Sequence, residues 1–221
     1  MIVRTLKECI IESLLDNEDK VFDGAKKGIV EEFLKENYNI HGSYTIKEAK
    51  TMFIVDVKGD IEVANESITS LTNGLFEFGE VSRNFDCSYC DSLKSLEGAP
   101  EKVGESFSCH DCKSLTSLEG APKEVKGSFD CSECKSLKSL EGAPKEVDRY
   151  FDCNGCKSLK SLKGAPEKVG WAFDCSGCKS LKSLKGAPEK VGDSFYCSGC
   201  GTKFTEEDVR KYTNVKVNIF V

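Results

Sequence analysis

Twelve of the thirteen cysteines stand in six copies of the motif Phe-x-Cys-x-x-Cys, which recurs at an interval of 22 residues. Two Cys-x-x-Cys pairs together supply the four thiolates that a structural zinc ion prefers. The motif therefore raises zinc binding as its first chemical possibility. The first cysteines of the six copies are Cys87, Cys109, Cys131, Cys153, Cys175 and Cys197, and the second are Cys90, Cys112, Cys134, Cys156, Cys178 and Cys200.

The regular interval between the pairs argues against zinc. The first cysteine alternates with the phenylalanine and faces inward, whereas the second falls in the following turn, so the two thiols need not converge on one ion. Only three copies carry the glycine common in zinc knuckles, as in Cys175-Ser-Gly-Cys178. Free cysteine is among the most buried residue types. We therefore predict a buried cysteine ladder with no metal and no cofactor, and we keep a zinc-binding module as a rival interpretation.

Thiol catalysis and disulfides are also disfavoured. Arg4, Lys7 and Glu8 interrupt the segment where a signal peptide has its apolar core, which predicts a cytoplasmic protein with reduced thiols. A catalytic thiol needs an adjacent base. The histidine nearest to a repeat cysteine, His110, faces away from its neighbour Cys109. Because the sequence also contains no Gly-rich phosphate loop and no triad, we predict that the protein is not an enzyme.

One acidic residue recurs between the phenylalanine and the first cysteine. Asp130, Asp152 and Asp174 occupy this place in three consecutive copies and are expected on the outer side of neighbouring strands, about 5 Å apart. Like charges at that distance repel one another by about 1 kcal/mol even in water. A basic partner would relieve the repulsion. The alternative is a solvated row inherited with the repeat, and the sequence does not decide between the two.

Four residues depart from the consensus of the repeats. Arg149, Tyr150, Trp171 and Tyr196 replace residues that are mostly small or acidic in the other copies. Trp, Tyr and Arg dominate the energetics of protein interfaces. These four residues, with the three aspartates, are the predicted partner-binding site. Packing against the edge of the repeats is the alternative explanation, most credible for Trp171.

Lysines form two further rows, which lie away from the strands. A phosphate-binding stripe is the minority interpretation, because the rows lack stacking aromatic residues. The net charge of −6 also argues against a nucleic-acid partner. The rows consist of Lys113, Lys135, Lys157 and Lys179, and of Lys94, Lys138, Lys160 and Lys182.

The elements that position these residues follow from the 22-residue period. A unit of this length contains one brief strand, such as Phe107-Ser108-Cys109, and widely spaced apolar residues, so it cannot bury its own apolar surface. Units of this kind stack into a solenoid in which each coil covers its neighbour. The expected fold class is an α/β-type repeat solenoid whose strands form one parallel sheet.

The repeat resembles the leucine-rich repeat family. Phe107 and Cys109 match the inward strand positions, Cys112 matches the Asn/Cys position, and Leu115-x-x-Leu118 followed by Gly-Ala-Pro is similar to the loop-like convex side of bacterial members. The resemblance implies a right-handed superhelix with a concave parallel β-sheet. Leu115 lies one residue later than the pattern requires, and Val103 lies four residues before Phe107 instead of three.

The two ends of the chain have no regular repeat. Residues 1–52 are predicted to be a helical N-terminal cap or docking segment, with one helical face from Leu6, Ile10 and Leu14 and another from Ile29, Val30, Phe33 and Leu34. Residues 53–221 are the predicted solenoid, with a C-terminal cap from about residue 204. In that cap, Thr205 is the expected N-cap of a short helix, and Ile219 and Val221 are expected in core positions.

The phrases SLEGAPKEV, ESLLDNED and FTEEDVRKY resemble leucine-rich repeat proteins encoded by large bacteriophages. This resemblance implies a protein that acts in the cytoplasm of a host cell and binds a host protein. Together with the acidic row, it suggests inhibition of a basic, nucleic-acid-binding defence nuclease, as anti-CRISPR proteins do. Besides the zinc- or nucleic-acid-binding module, the rival hypothesis is a virion or assembly component.

Overall fold

A computed structural model describes residues 24–221. The first described element is helix α1 (Gly24–Asn37), which confirms the helix expected around Val30 and Leu34; both of these side chains are buried. The helix expected from Leu6, Ile10 and Leu14 lies outside the described residues. Neither helix of the described region is long and apolar enough to cross a membrane.

Helix α1 runs directly into a long antiparallel hairpin. Its strands are β1 (Tyr38–Glu48) and β2 (Phe53–Val63), which pair along their whole length. The burial of β2 alternates strictly, because one face of the strand lies on the core. The division predicted between residues 52 and 53 falls at the turn of this hairpin and stays a prediction.

The rest of the described chain is a parallel β-solenoid of about eight turns. Each coil contributes two brief strands, and the strands stack in two columns. The valine column consists of β3 (Phe76–Val81), β5 (Lys102–Val103), β7 (Glu124–Val125), β9 (Glu146–Val147), β11 (Lys168–Val169), β13 (Lys190–Val191) and β15 (Asn214–Val215). The phenylalanine column consists of β4 (Phe85–Asp86), β6 (Phe107–Ser108), β8 (Phe129–Asp130), β10 (Phe151–Asp152), β12 (Phe173–Asp174), β14 (Ser194–Tyr196) and β16 (Asn218–Phe220).

Both columns start on strand β2. Its first half pairs with β3, from Phe53 to Val57, and its second half pairs with β4 through Ile61 and Glu62. In every later coil, a bend separates the two strands. This explains why Val103 lies four residues before Phe107: the valine belongs to a strand of its own. The sequence predicted one strand in each repeat, and the structure has two.

Stacked aromatic rings fill the core behind the phenylalanine column. The rings of Phe129 and Phe151 lie 5.2 Å apart at an interplanar angle of 8°, and those of Phe151 and Phe173 lie 5.5 Å apart at 6°. The repeated phenylalanines from Phe85 to Phe195 are fully buried. The two leucines of each coil, such as Leu159 and Leu162, are also fully buried. The core is therefore continuous from coil to coil.

The C-terminal coil carries the second described helix, α2 (Glu206–Arg210). Thr205 is its N-cap, as predicted: its hydroxyl accepts a hydrogen bond from the Asp208 amide, and the Asp208 carboxylate accepts one from the Thr205 amide at 2.9 Å. In the final strand, Ile219 is only partly buried. The core position expected for Val221 is wrong, because this side chain is 44% exposed.

The residue before the second cysteine of each copy has left-handed backbone geometry. The φ angles there are 62° for Tyr89, 50° for Asp111 and 54° for Glu133, and the later copies have glycine at this place. Glycine adopts this region without the steric cost that a β-carbon brings. The glycines that resembled those of zinc knuckles are therefore explained by turn geometry.

Replacing Glu133 with glycine is expected to raise the free energy of unfolding by about 0.5–1 kcal/mol. The change removes the steric strain of a left-handed non-glycine residue, and this gain exceeds the added conformational entropy of glycine in the unfolded chain. Urea denaturation measures the effect. The matched reverse change, Gly177→Ala, should destabilise the protein, since a β-carbon there has room and only the backbone angle is unfavourable. Equal stability of both variants and the parent would contradict this account.

Candidate protein-binding site

The cysteine ladder is confirmed as part of the core. All repeat cysteines are free thiols, and all are buried except the partly exposed Cys200. From the second copy onward, the second thiol of each pair donates a hydrogen bond to the carbonyl of the first cysteine in the preceding coil. For example, the Cys112 thiol lies 3.1 Å from the Cys87 carbonyl oxygen, and the Cys178 thiol lies 3.2 Å from that of Cys153.

The electrostatics favour the protonated thiol at most of the buried cysteines, whereas the hydrogen bond with Cys175 lowers the pKa of the partly exposed Cys200. Burial raises the pKa of Cys90 and of Cys197 to about 12, and it also raises the pKa values of Cys87 and Cys131. Metal binding and nucleophilic attack both need the thiolate form. No group of three or more metal-ligating side chains occurs among residues 24–221. As hydrogen-bond donors, these thiols contribute to the stacking of the coils.

The predicted acidic residues form a column on the outer side of the phenylalanine column. Asp130 pairs in register with Asp152, and Asp152 pairs with Asp174. Each carboxylate accepts a hydrogen bond from the amide two residues later, at 2.8 Å for Asp130, 2.9 Å for Asp152 and 2.7 Å for Asp174. These bonds fix the turn that follows the strand, a structural role that sequence reasoning missed. We call the three residues the aspartate column.

The middle carboxylate of the column has the least favourable environment for a negative charge. Partial burial, followed by repulsion from Asp130 and Asp174, raises the pKa of Asp152 to about 6. Hydrogen bonds from the amide and the side chain of Asn154 oppose the shift. A cation brought close to this column would favour the charged form of Asp152.

Three of the four residues that depart from the repeat consensus meet in space. The rings of Tyr150 and Trp171 lie 5.3 Å apart edge to face, and the Arg149 guanidinium lies 5.4 Å from the centre of the Trp171 ring. Tyr150 and Trp171 are 48% and 47% exposed. We call Arg149, Tyr150 and Trp171 the aromatic cluster. It adjoins the aspartate column, because Tyr150 lies immediately before strand β10, which contains Asp152.

The fourth residue, Tyr196, lies elsewhere. It pairs in register with Asp174 and so continues the aspartate column by one coil. Its ring stacks on Phe220 at 4.6 Å with an interplanar angle of 3°. Phe220 is 45% exposed and was missed by sequence reasoning, although it occupies the same place in its coil as Tyr196. The aromatic residues next to the aspartate column therefore form two groups, the aromatic cluster and the pair of Tyr196 and Phe220.

A hydrogen-bonded chain supports the other end of the aspartate column. The Ser132 hydroxyl donates to Asp130 at 2.5 Å, and the Nδ1 atom of His110 lies 2.8 Å from the same hydroxyl oxygen. Since the serine proton is directed to Asp130, the imidazole is the donor to Ser132. The edge of the His110 ring contacts Tyr89 at 5.3 Å between ring centres. Sequence reasoning missed this chain, because its hydrogen-bonded members come from two neighbouring coils.

Comparison of the chain with protein-family models, with curated proteins and with solved structures finds no significant match.

Proposed function

We propose that the protein is a non-enzymatic binding protein that uses the aromatic cluster and the aspartate column to hold a basic surface of another protein. The observation that carries the proposal is the position of Arg149, Tyr150 and Trp171. They are exposed, packed on one another and adjacent to a row of carboxylates. Exposed Trp, Tyr and Arg side chains are the residue types that contribute most binding energy at protein interfaces.

The cluster is suited to binding because its geometry exists before a partner arrives. The cation–π contact holds Arg149 over Trp171, and the edge-to-face contact holds Tyr150 against the same ring. Side chains that are already ordered lose less conformational entropy on binding. Their strands belong to adjacent coils joined by the hydrogen bond from the Trp171 amide to the Arg149 carbonyl, at 2.9 Å.

The aspartate column supplies charge complementarity. Its carboxylates repel one another, and the repulsion contributes to the raised pKa of Asp152. A lysine or arginine of a partner would convert this repulsion into attraction, which raises the association rate and disfavours acidic partners. The energetic preference of the column is therefore for a basic protein surface.

We further propose that the fold is a leucine-rich repeat superhelix and that the partner is a host protein. The phenylalanine and valine columns are compatible with a leucine-rich repeat superhelix in which the binding residues line a concave face. The resemblance of the repeat phrases to phage proteins supports a cytoplasmic host protein as the partner. A basic channel that normally holds nucleic acid, as in a defence nuclease, would suit the spacing of the aspartate column.

The test measures binding of the purified chain to a basic host protein recovered with it from bacterial lysate. The variant Asp130→Asn/Asp152→Asn/Asp174→Asn and the variant Trp171→Ala are each expected to weaken binding about 10-fold or more, as for interface hot spots. The matched control replaces another carboxylate column, Glu97→Gln/Glu119→Gln/Glu141→Gln, and should bind as the parent does. Unchanged binding by the aspartate variant would reject the column as a binding element, and unchanged binding by Trp171→Ala would reject the cluster.

A further inference from the structure

A second charged surface lies on the flank that follows the second cysteine of each coil. Here the segment Lys-Ser-Leu-Lys-Ser-Leu-Lys-Gly occurs twice in succession, at residues 157–164 and 179–186, and neither copy contains an acidic residue. All six lysines are exposed. We call them the lysine flank: Lys157, Lys160, Lys163, Lys179, Lys182 and Lys185.

The lysine flank is confined to these two coils by a reversal of charge. The place occupied by Lys163 and Lys185 is glutamate in the three preceding coils, Glu97, Glu119 and Glu141. In the first of those coils, the first residue of the segment is Asp91, and in the next two coils an acid pairs with the first lysine, as in the 2.8 Å ion pair between Lys113 and Asp91. The two later coils have no acidic residue at either place, so the excess of positive charge is confined to them.

Most of the six ammonium groups have no internal counter-charge. Lys163 pairs with Glu141 at 2.7 Å, and the Lys179 ammonium donates to the Gly199 carbonyl at 3.0 Å. Across residues 24–221, the other four form no ion pair within 4.0 Å. These four are Lys157, Lys160, Lys182 and Lys185. They form a staggered array on two adjacent coils: Lys160 and Lys182 occupy equivalent places, and Lys157 and Lys185 lie at its two ends.

The array is held on a rigid base. The leucines between the lysines, Leu159, Leu162, Leu181 and Leu184, are at most 1% exposed. A β-carbon on Gly186 would lie 2.9 Å from the backbone of Leu162, which shows how closely the two coils stack there. The backbones of equivalent lysines in adjacent coils, such as Lys160 and Lys182, are therefore separated by about the spacing of stacked strands, roughly 4.8 Å.

We propose that the lysine flank binds the phosphodiester backbone of a nucleic acid, without preference for base sequence. Lysine–phosphate contacts supply affinity but carry no sequence information. A linear polymer with a charge at every repeat can contact lysines of both coils at once. A membrane surface fits less well, because the flank exposes no apolar anchor between its lysines.

The net charge of −6 does not exclude this partner, although it argued against one at the level of the sequence. Charges farther away than the Debye length, about 8 Å at physiological ionic strength, are largely screened. A phosphate on the lysine flank therefore interacts mainly with the ammonium groups beneath it. The proposal is independent of the protein-binding site, which lies on the strand columns and uses different side chains.

The experiment is a fluorescence-anisotropy titration of the full chain against a labelled DNA duplex of mixed sequence. With four phosphate contacts, the affinity should fall roughly 100-fold between 50 and 200 mM salt, from a slope of about −0.9 per contact. The variant Lys157→Gln/Lys160→Gln/Lys182→Gln/Lys185→Gln should lose at least about 10-fold in affinity at the lower salt concentration. A thermal melt that matches the parent verifies its fold, since all four side chains are exposed.

The control variant removes the same number of charges from four exposed lysines elsewhere, Lys50→Gln/Lys58→Gln/Lys94→Gln/Lys126→Gln, and should bind DNA as the parent does. A loss of equal size in both variants would overturn the proposal, because it would indicate a general charge effect. Two other results would also overturn it: no salt-dependent binding by the parent, or tighter binding to phosphatidylserine vesicles or polyglutamate than to the duplex.

Discussion

Replacing Phe151 with alanine is expected to lower the free energy of unfolding by about 3–5 kcal/mol, the usual cost of removing a buried phenylalanine ring. Phe151 is fully buried, and its ring stacks on Phe129 on one side and on Phe173 on the other. The change therefore weakens two interfaces between coils at once. The stability of a solenoid is approximately the sum of the intrinsic stability of each repeat and the interaction free energy of each interface between neighbouring repeats. Urea denaturation, followed by circular dichroism, measures the loss.

The adjacent residue provides the control for Phe151. Tyr150 is also aromatic, but it is 48% exposed and contacts chiefly Trp171. Tyr150→Ala should cost no more than about 1 kcal/mol, the value of one aromatic pair at the surface. Similar losses in the two variants would contradict the conclusion that the stacked, buried rings of the phenylalanine column couple the coils.

Replacing Asp152 with asparagine is expected to stabilise the protein at neutral pH by about 2 kcal/mol or less, since a shift of one pKa unit corresponds to about 1.4 kcal/mol. The pKa of Asp152 in the folded protein is about 6, mainly because of burial and then because of Asp130 and Asp174. In the unfolded chain it is about 3.9. Asparagine at this position has no charge, and its side-chain oxygen can still accept the hydrogen bond from the Asn154 amide.

The sign of the pH dependence follows from these two pKa values. Between about pH 4 and pH 6, the folded state binds more protons at Asp152 than the unfolded state does, so stability falls as the pH rises through this range. In the parent protein, the contribution of Asp152 to the free energy of unfolding should therefore be more favourable at pH 5 than at pH 7. In Asp152→Asn, this part of the pH dependence should be absent. Denaturant titrations at both pH values measure it.

Asp86→Asn is the matched control for the Asp152 prediction. Asp86 occupies the same place in the first copy and makes the same turn, with a 2.8 Å hydrogen bond from the Ser88 amide. Its neighbours in the column are the uncharged Ser108 on one side and Glu62 on the other, so it has one carboxylate neighbour, whereas Asp152 lies between two. Its replacement should change the stability at neutral pH by less than about 0.5 kcal/mol, the range of ordinary surface substitutions. An equally large gain from Asp86→Asn would show that the gain does not come from the burial of Asp152 between two like-charged neighbours.

Much of the fold could be predicted from the sequence, because the 22-residue period fixes which residues share a column. Phe129, Phe151 and Phe173 must stack once the coils stack, and the inward positions of the cysteines follow from alternation with these rings. The same argument placed Asp130, Asp152 and Asp174 on adjacent strands. Thr205 was predictable as an N-cap because its signal is local.

Other features depend on contacts that no local pattern encodes. The strand of the valine column, which sequence reasoning missed, is only two residues long in the regular coils, as in Lys102–Val103. A strand of this length is too short for an alternating pattern to reveal it. The pairing of Tyr196 with Phe220 depends on how the final coil, which departs from the 22-residue interval, stacks on the previous one. The hydrogen-bonded chain from His110 to Asp130 needs side chains from neighbouring coils, so spacing along the sequence could not place it.

Both strand columns begin on strand β2, and the number of 22-residue coils that follow it can vary. Within residues 24–221, only β2 joins both columns in one unbroken strand, and the later coils repeat the same strand pairing with the coils before and after them. A tandem duplication or deletion of one 22-residue unit in the middle of the array would leave each remaining core side chain in an equivalent environment. The number of units, and with it the distance between the hairpin and the C-terminal helix, can therefore change during evolution without redesign of the core.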